Sequence, residues 1–120
     1  MAYSYTINLN TVIDVFEICN LVQKIKQLDS EWLIYLSSKQ FKNSLSISIK
    51  NNFMIINCRI LNNQLNLISS KQFNFNFVTK ILFDKFKISE TEINNIEAKY
   101  IYFDTVDKRY IETIIPSPVL

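Results

Sequence analysis

The sequence contains no glycine among its 120 residues, and this absence limits both the turns and the chemistry available to the chain. Glycine adopts positive φ angles without steric cost, and asparagine is the next best residue for that conformation. The asparagine pairs Asn51-Asn52, Asn62-Asn63 and Asn94-Asn95 are therefore predicted to form turns. Without glycine the chain also lacks a phosphate-binding loop and a dinucleotide-binding fingerprint.

The rest of the composition excludes further classes of chemistry. The chain has no histidine, so it has neither an imidazole-activated nucleophile nor a histidine metal site. Its two cysteines, Cys19 and Cys58, are too few for a disulfide scaffold or a cysteine zinc site, and we expect two half-buried free thiols. We therefore predict no metal and no cofactor. Carboxylate, arginine, lysine and tyrosine chemistry remains, as does simple binding.

Length and charge indicate an ordinary globular protein. A chain of 120 residues with 48% hydrophobic and 20% charged residues is typical of one folded domain, 1–120. It has no apolar run long enough to span a bilayer, so we expect a soluble protein without a membrane partner. The net charge is only +2 and the basic residues are scattered, which makes nucleic acid an unlikely partner. The sequence gives no oligomeric state.

Codon bias is the only indication of origin. Asparagine, isoleucine, lysine, phenylalanine and tyrosine are abundant, as in proteins of AT-rich genomes such as those of plastids and phages. On this basis the expected location is the cytoplasm or the plastid stroma. This inference concerns the source of the chain and says nothing about its activity.

Hydrophobic periodicity predicts the elements of the first half. Alternation over 3–9 predicts a strand, and apolar residues at steps of three and four over 11–28 predict a helix. The apolar run 32–36 fits either a buried strand or a last helical turn. The region 44–61 alternates on both sides of an asparagine pair and predicts a hairpin, and 65–67 predicts the next strand.

The second half predicts one helix and two strands. We place a helix over 77–85 and strands over 99–104 and 109–115. Ser89 followed by Glu92 resembles a capping box, although this segment also fits extended structure. The resulting order, β-α-β-β-β-α-β-β, predicts an α+β fold, namely a single antiparallel sheet with two or three helices packed on one face.

Three features of the sequence are candidates for function. Glu112 and Arg59 stand among apolar strand residues, so they either point inward, where they could pair or hold an anion, or lie exposed on edge strands. The phenylalanines at 73, 75 and 77 either belong to the core or stack nucleic-acid bases. The remaining acidic residues are expected to be solvated.

Several segments resemble the chorismate-lyase-like family of bacterial enzymes and their plastid-encoded relatives. The ending Arg109-Tyr-Ile-Glu112-Thr-Ile-Ile-Pro116 is similar to the family's terminal strand, in which a glutamate precedes a proline by four residues. The hairpin 44–61, with Arg59 near its end, resembles the family's central hairpin, and the segment 29–36 resembles an early segment that opens with tryptophan. Lys42 stands near the place where the family has another arginine.

The resemblance implies elimination of pyruvate from chorismate to give 4-hydroxybenzoate, or only binding of a small aromatic acid, without metal or cofactor. Arg59 and Lys42 would then bind the ligand's carboxylate, and Glu112 would be the catalytic acid. A general acid of this kind needs a dry pocket that keeps its carboxyl group protonated. The alternative is a non-enzymatic interaction or assembly subunit of an organelle or phage, with no small-molecule site.

Overall fold

The computed structural model describes residues 1–37 and 43–118. Within these ranges the chain forms seven strands and two α-helices, with one short 3₁₀ turn. The elements occur in chain order: β1 (Ala2–Leu9), α1 (Val15–Lys24), β2 (Leu33–Leu36), β3 (Ser44–Lys50), β4 (Ile55–Leu61), β5 (Gln64–Ser69), α2 (Phe75–Phe86), the 3₁₀ turn (Glu90–Glu92), β6 (Ile93–Asp104) and β7 (Arg109–Ile114).

All seven strands belong to one antiparallel sheet in the order β2-β3-β4-β5-β1-β6-β7. The predicted α+β class with a single antiparallel sheet is confirmed. Four strands lie between the two helices, whereas the sequence predicted three, because the ambiguous segment 32–36 forms β2 rather than a helical turn. Each strand therefore pairs with a neighbour of opposite direction, and short turns suffice for most connections.

One face of the sheet is apolar and carries the core. In β4 the alternation is complete, since Ile56, Cys58 and Ile60 are buried while Asn57 and Arg59 are exposed. The apolar faces of both helices join the same cluster of buried side chains. We call this side the helix face and the opposite side the open face, because alternate strand residues point to opposite sides.

Helix α1 is shorter than predicted. Asp14 caps it by accepting hydrogen bonds from the backbone N–H groups of Phe16 and Glu17 at 3.1 and 3.3 Å, so the helix begins at Val15 and not at the predicted residue 11. Phe16, which the periodicity placed on the buried face, is 63% exposed. The helix ends at Lys24. The chain after it becomes extended and pairs with the outer edge of β2.

Helix α2 is longer than predicted. Asn74 caps its start by accepting from the backbone N–H of Phe77 at 3.1 Å, and Lys87 ends it in the left-handed conformation. Ser89 and Glu92 do not form the capping box of a further α-helix in the described chain. The Ser89 hydroxyl instead accepts a hydrogen bond from the backbone N–H of Thr91 and starts a single 3₁₀ turn. Strand β6 then begins at Ile93, whereas the sequence placed its start at residue 99.

The asparagine pairs contribute to the turns in different ways. Asn62 has φ 54° in the two-residue turn between β4 and β5, as expected of a residue replacing glycine. The Asn51 side chain accepts two backbone N–H bonds and organises the turn between β3 and β4. Asn94-Asn95, predicted as a turn, lies inside β6, where Asn95 pairs with Asn8 and Asn94 falls at a shift in the register with β1.

Candidate functional site: the open face of the sheet

The open face is polar at one end. Its central residues there are Arg59 and Asn66, which face each other across β4 and β5. The Asn66 side-chain amide donates to the hydroxyl oxygens of Ser4 and Thr6 at 3.0 and 2.9 Å. These bonds tie β5 to β1 through side chains as well as through the backbone. This end is a hydrated polar surface, typical of the solvent side of an antiparallel sheet.

The other end of the open face is apolar, although nothing within the described residues covers it. Cross-strand pairs carry apolar side chains there on β2, β4, β5, β6 and β7. We define this apolar end by its residues: Leu33, Tyr35, Ile55, Ile68, Ile101, Phe103, Tyr110 and Ile114. Polar residues, among them Ser48, Asn57 and Lys99, separate these side chains, and Ile68 and Ile101 are half-buried. A group of exposed apolar side chains on one face often marks a binding surface.

The hairpin of β6 and β7 extends the apolar end beyond the body of the sheet. Pairing of β6 with β1 stops at Ile101, so the last residues of β6 pair with β7 alone. Tyr110 is 70% exposed and Ile114 is 88% exposed. The rings of Phe103 and Tyr110 meet edge-on with centroids 5.2 Å apart, which holds both side chains on the open face.

The two edges of the sheet are finished differently. The outer edge of β2 is closed by the segment after α1, since the Lys26 carbonyl accepts from the Ile34 N–H at 3.2 Å and Gln27 bridges to Leu33. Strand β7 is the last in the sheet order, and it pairs with β6 on one side only. Its outer backbone groups therefore have no strand beside them in the described chain. An exposed edge of this kind can accept a further strand.

An open cleft lies in the part of the apolar end that is distant from β7, beside the turn between β3 and β4. Its volume is about 700 Å³. The floor is a row of cross-strand neighbours, Tyr35, Ser48, Asn57 and Ile68, and the turn residue Phe53 forms part of the rim. The cleft is open to solvent and has both apolar and polar walls.

The structure does not bring Arg59 and Glu112 together. Both side chains are exposed on the open face, but β5, β1 and β6 lie between their strands. The registers place them four strand spacings and four residues apart, which corresponds to roughly 20 Å or more on a flat sheet. The expected enclosed pocket with an inward arginine and an inward carboxylate is thus absent from the described residues.

Each of the two residues has its own setting. Arg59 borders a shallow depression of about 260 Å³ with Thr6, Leu61, Gln64 and Asn66. Glu112 forms an ion pair with Lys99 across β6 and β7, at 3.2 Å between Oε1 and Nζ. Both residues are exposed, because each points to the side of the sheet on which no described helix packs. Only Glu112 lies on an edge strand, as the second alternative expected, whereas Arg59 lies on β4 inside the sheet.

The structure also locates the other candidate residues. Lys42 lies outside the described residues. Phe75 is buried and stacks against Tyr5 with centroids 4.6 Å apart, and Phe73 packs on the same tyrosine. Only Phe77 is exposed among the three phenylalanines. Two of the three thus belong to the core, which is the first of the two alternatives for this segment.

Titratable groups also give no indication of an acid–base site. Burial raises the pKa of the Cys58 thiol to about 12, so this thiol stays protonated at neutral pH. Burial, with a smaller contribution from Tyr3, raises the pKa of Tyr5. Among residues 1–37 and 43–118, no group of histidine, cysteine, aspartate or glutamate side chains forms a metal site. None of the described helices has the length and apolar character needed to cross a membrane.

Comparisons with known proteins identify no relative: no family model, no curated protein and no solved structure matches the chain.

Sequence reasoning missed the apolar end of the open face. It treated apolar strand residues as core, which is the usual outcome of burial. One signal was available in the sequence, because β7 and the residue after it carry apolar residues at consecutive positions, Tyr110-Ile111 and Ile114-Ile115. A strand that is apolar on both faces is either central or an unguarded edge. The sequence does not distinguish these two arrangements.

Proposed function

We propose that this protein is a non-enzymatic assembly subunit that binds a second copy of itself through strand β7. The observation that carries the proposal is an unpaired edge strand flanked by exposed apolar side chains, of which Ile114 at 88% and Tyr110 at 70% are the most exposed on β7. Both features are unfavourable in water for an isolated chain. A second strand laid along β7 would pair its free backbone groups, and the partner's side chains would pack beside Tyr110 and Ile114 on the same face.

The backbone of β7 supplies the first contribution. All six residues of the strand pair with β6, so alternate N–H and C=O groups point to the free side. A partner strand would pair with them and continue the seven-stranded sheet. The next residue, Ile115, still donates its N–H to the Ala98 carbonyl at 3.1 Å, which keeps the end of the edge straight until Pro116.

The side chains of β7 permit antiparallel pairing with an identical strand. Paired residues in antiparallel strands share a face, so a two-fold axis through Ile111 places Tyr110 opposite Glu112 of the partner subunit. The same register places Arg109 opposite Thr113 of the partner subunit, so no like charges face each other. An axis through Glu112 would instead oppose two carboxylates, which is unfavourable.

The charge of the whole chain also permits self-association. The net charge is +2, so repulsion between two copies is small. Around the hairpin, the Lys99–Glu112 ion pair adds no net charge to the surface that would be buried. Two-fold dimers are the commonest form of protein oligomer, and they need one self-complementary patch of this type.

Sedimentation or light scattering on the purified chain tests this proposal. We expect a monomer–dimer equilibrium in the micromolar range, and Ile114→Lys should weaken it by about tenfold or more, because it places a lysine opposite Lys108 of the partner subunit. Phe16→Lys is the matched control, since Phe16 is a similarly exposed apolar residue on α1. A chain that stays monomeric at every accessible concentration overturns the proposal, as does equal weakening by both variants.

A cysteine cross-link tests the register. In a Cys19→Ser background, Ile111→Cys lies on the proposed axis and should form a disulfide with its own copy under mild oxidation. Val106→Cys is the control, because this residue is 87% exposed but lies in the hairpin turn away from the axis. Efficient cross-linking by Val106→Cys and none by Ile111→Cys would refute pairing along β7.

The function implied by the chorismate-lyase-like resemblance is the second candidate. One observation favours it, namely the single antiparallel sheet with its core on the helix face, since the resemblance to this family also implies an antiparallel sheet with helices on one side. We propose it only as binding of a small aromatic acid without elimination. A general acid must be held in a dry pocket, and the Glu112 side chain is 57% exposed beside Lys99.

Two measurements test the second candidate. Incubation with chorismate should release no pyruvate above the spontaneous rate. Titration with 4-hydroxybenzoate should saturate, and Arg59→Ala should weaken it if this arginine holds the carboxylate. Absence of saturation at millimolar ligand removes the candidate, whereas pyruvate release that Glu112→Gln abolishes would restore the lyase assignment.

A further inference from the structure

The cleft beside the turn between β3 and β4 has a floor fixed by the sheet itself. Tyr35, Ser48, Asn57 and Ile68 stand in one cross-strand row on four neighbouring strands. Ser48 is buried within this row, whereas Tyr35 and Asn57 on either side of it are exposed. Because strand registers hold these side chains, the floor is largely formed before any ligand binds.

The wall of the cleft is also held in place. The Asn51 side-chain oxygen accepts from the backbone N–H groups of Phe53 and Met54 at 2.8 and 2.9 Å, which fixes the turn. Across the cleft, the Lys71 ammonium donates to the Phe53 carbonyl at 2.9 Å and ties the turn to the end of β5. A site whose wall is held by hydrogen bonds before binding loses little conformational entropy when the ligand binds.

The charge in the cleft has one sign. Lys50 and Lys71 both line it, and none of the described lining residues is acidic. The Glu31 carboxylate lines a separate depression, which also contains Lys50 and Phe53. Lys71 uses one N–H for the Phe53 carbonyl, and an ammonium group has two more.

Apolar side chains flank the two ammonium groups. Phe53 is 77% exposed on the rim, and Ile55 and Ile68 lie beside it on β4 and β5. The Phe53 ring is left in water in the free chain and is available to contact a ligand. The same arrangement fits a ligand with a flat apolar part and an anionic end, because small-molecule sites combine apolar walls with a few polar groups.

We propose that this cleft binds a small organic anion composed of a planar ring and a carboxylate or phosphate group. The anionic group lies between Lys50 and Lys71, and the ring packs against Phe53 and Ile68. This proposal goes beyond the assembly function, since the cleft lies on β2 to β5 and the start of the chain, and no residue of β7 lines it. The same chemistry occurs in aromatic acids and in nucleotides, and a set of simple probes separates these sources.

Calorimetric or NMR titration with such probes tests the two parts of the proposal. Phenyl phosphate and benzoate should bind, whereas benzyl alcohol lacks the charge and inorganic phosphate lacks the ring. We expect both of these controls to bind about tenfold more weakly or worse, the usual effect of losing one charge-assisted hydrogen bond or one buried ring face. Tighter binding of AMP than of both aromatic probes would identify a nucleotide as the ligand class.

Variants locate the site. Lys50→Gln and Lys71→Gln should each weaken phenyl phosphate binding by about tenfold, whereas Lys85→Gln on α2 should leave it unchanged. Lys71→Gln also removes the bond to the Phe53 carbonyl, so Lys50→Gln, which leaves that bond intact, is the decisive variant. Equal binding by wild type and Lys50→Gln overturns the proposal, as does failure to saturate at millimolar phenyl phosphate.

The titration is repeated on Ile114→Lys so that the two proposals fail independently. This variant changes the β7 edge and none of the residues that line the cleft. Unchanged phenyl phosphate binding by Ile114→Lys is the expected result. Loss of binding in this variant, despite an intact fold, would overturn the assignment of the site to the cleft.

Discussion

The two edges of the sheet show how the same chain can protect one strand and leave another open. Strand β2 has four residues, and the segment after α1 closes its outer side through backbone bonds and a β-bridge. Strand β7 has six residues, and within residues 1–37 and 43–118 no strand pairs with its outer side. Natural sheets normally blunt their edges, so an unguarded edge with exposed apolar residues indicates a use for it.

The difference between the edges arises from the elements that precede each edge strand in the chain. Helix α1 lies over the β2 side and returns the chain along that edge. Strand β6 has twelve residues against eight in β1, so its end runs past the body of the sheet and takes β7 with it. The covered region should therefore dominate stability, whereas the hairpin edge should dominate association.

The largest expected effect is the loss of unfolding free energy when a buried residue in the middle of the sheet is truncated. Leu67, fully buried on β5, should cost about 2–5 kcal/mol of unfolding free energy when changed to Ala, because the substitution leaves a cavity. Ile114→Ala on β7 should change the same quantity by less than about 0.5 kcal/mol. Urea unfolding at a concentration where the monomer dominates measures both. Similar losses of unfolding free energy for the two variants would contradict the view that the covered region dominates stability.

The buried thiol gives the next largest effect, and it depends on pH. The folded state keeps Cys58 protonated up to a pKa of about 12, whereas the ordinary value is 9.0. Because the folded pKa is the higher one, this contribution is complete below about pH 9 and is lost as the pH rises towards 12, by up to about 1.4 kcal/mol per pH unit.

Comparison with Cys58→Ala isolates that contribution from the tyrosines and lysines that titrate in the same range. The stability advantage of the wild type over Cys58→Ala should shrink between about pH 9 and 12. The readout is the midpoint of chemical unfolding at each pH. A constant difference across this range would show that the thiol is accessible to water, so the centre of the sheet would be less tightly covered than we describe.

A substitution at Thr79 in the covered region is expected to change stability by a smaller amount. Its side chain is fully buried in α2, and its hydroxyl oxygen has no hydrogen-bond partner among the described residues. Thr79→Val keeps the shape and removes the unsatisfied group, so it should be neutral or stabilise the fold by up to about 1 kcal/mol. Thermal unfolding compares the two proteins. A clear loss of stability would indicate that the hydroxyl has a partner.

The smallest expected effect concerns the uncovered edge. Glu112→Gln removes the charge that pairs with Lys99, but both side chains are well exposed, at 57% and 39%. Exposed ion pairs contribute at most about 1 kcal/mol, so the unfolding free energy should fall by less than that. High salt should reduce the difference further. A loss of several kcal/mol would mean that this edge is buried in the folded protein.

Much of the fold could be predicted from local pattern. Alternation over 3–9 and 44–61 corresponds to β1 and to the hairpin of β3 and β4, and the helical spacing before position 86 corresponds to α2. The predicted start of α1 was wrong, because the Asp14 side chain accepts hydrogen bonds from the first free N–H groups and the helix begins after it. Asn94-Asn95 was assigned to a turn, although strand pairing with β1 overrides the turn preference of asparagine.

The candidate site could not be predicted in the same way. Arg59 and Glu112 have similar local settings, each among apolar strand residues, and the sequence allowed both to point inward. Their directions depend on which face of each strand receives the helices. Their separation depends on the order of the strands, in which β5, β1 and β6 come between them. Neither property is encoded by residues close to them in the chain.

The sequence by itself determined the classes of chemistry that are absent, the α+β composition and the alternation that gives each strand an apolar side, because these depend only on residue types and short-range spacing. Only the tertiary structure decided that β1 lies between β5 and β6, that one edge is closed and that the other is free. The reason is physical: burial is a property of the assembled sheet, and an apolar residue is core or surface according to what packs against it.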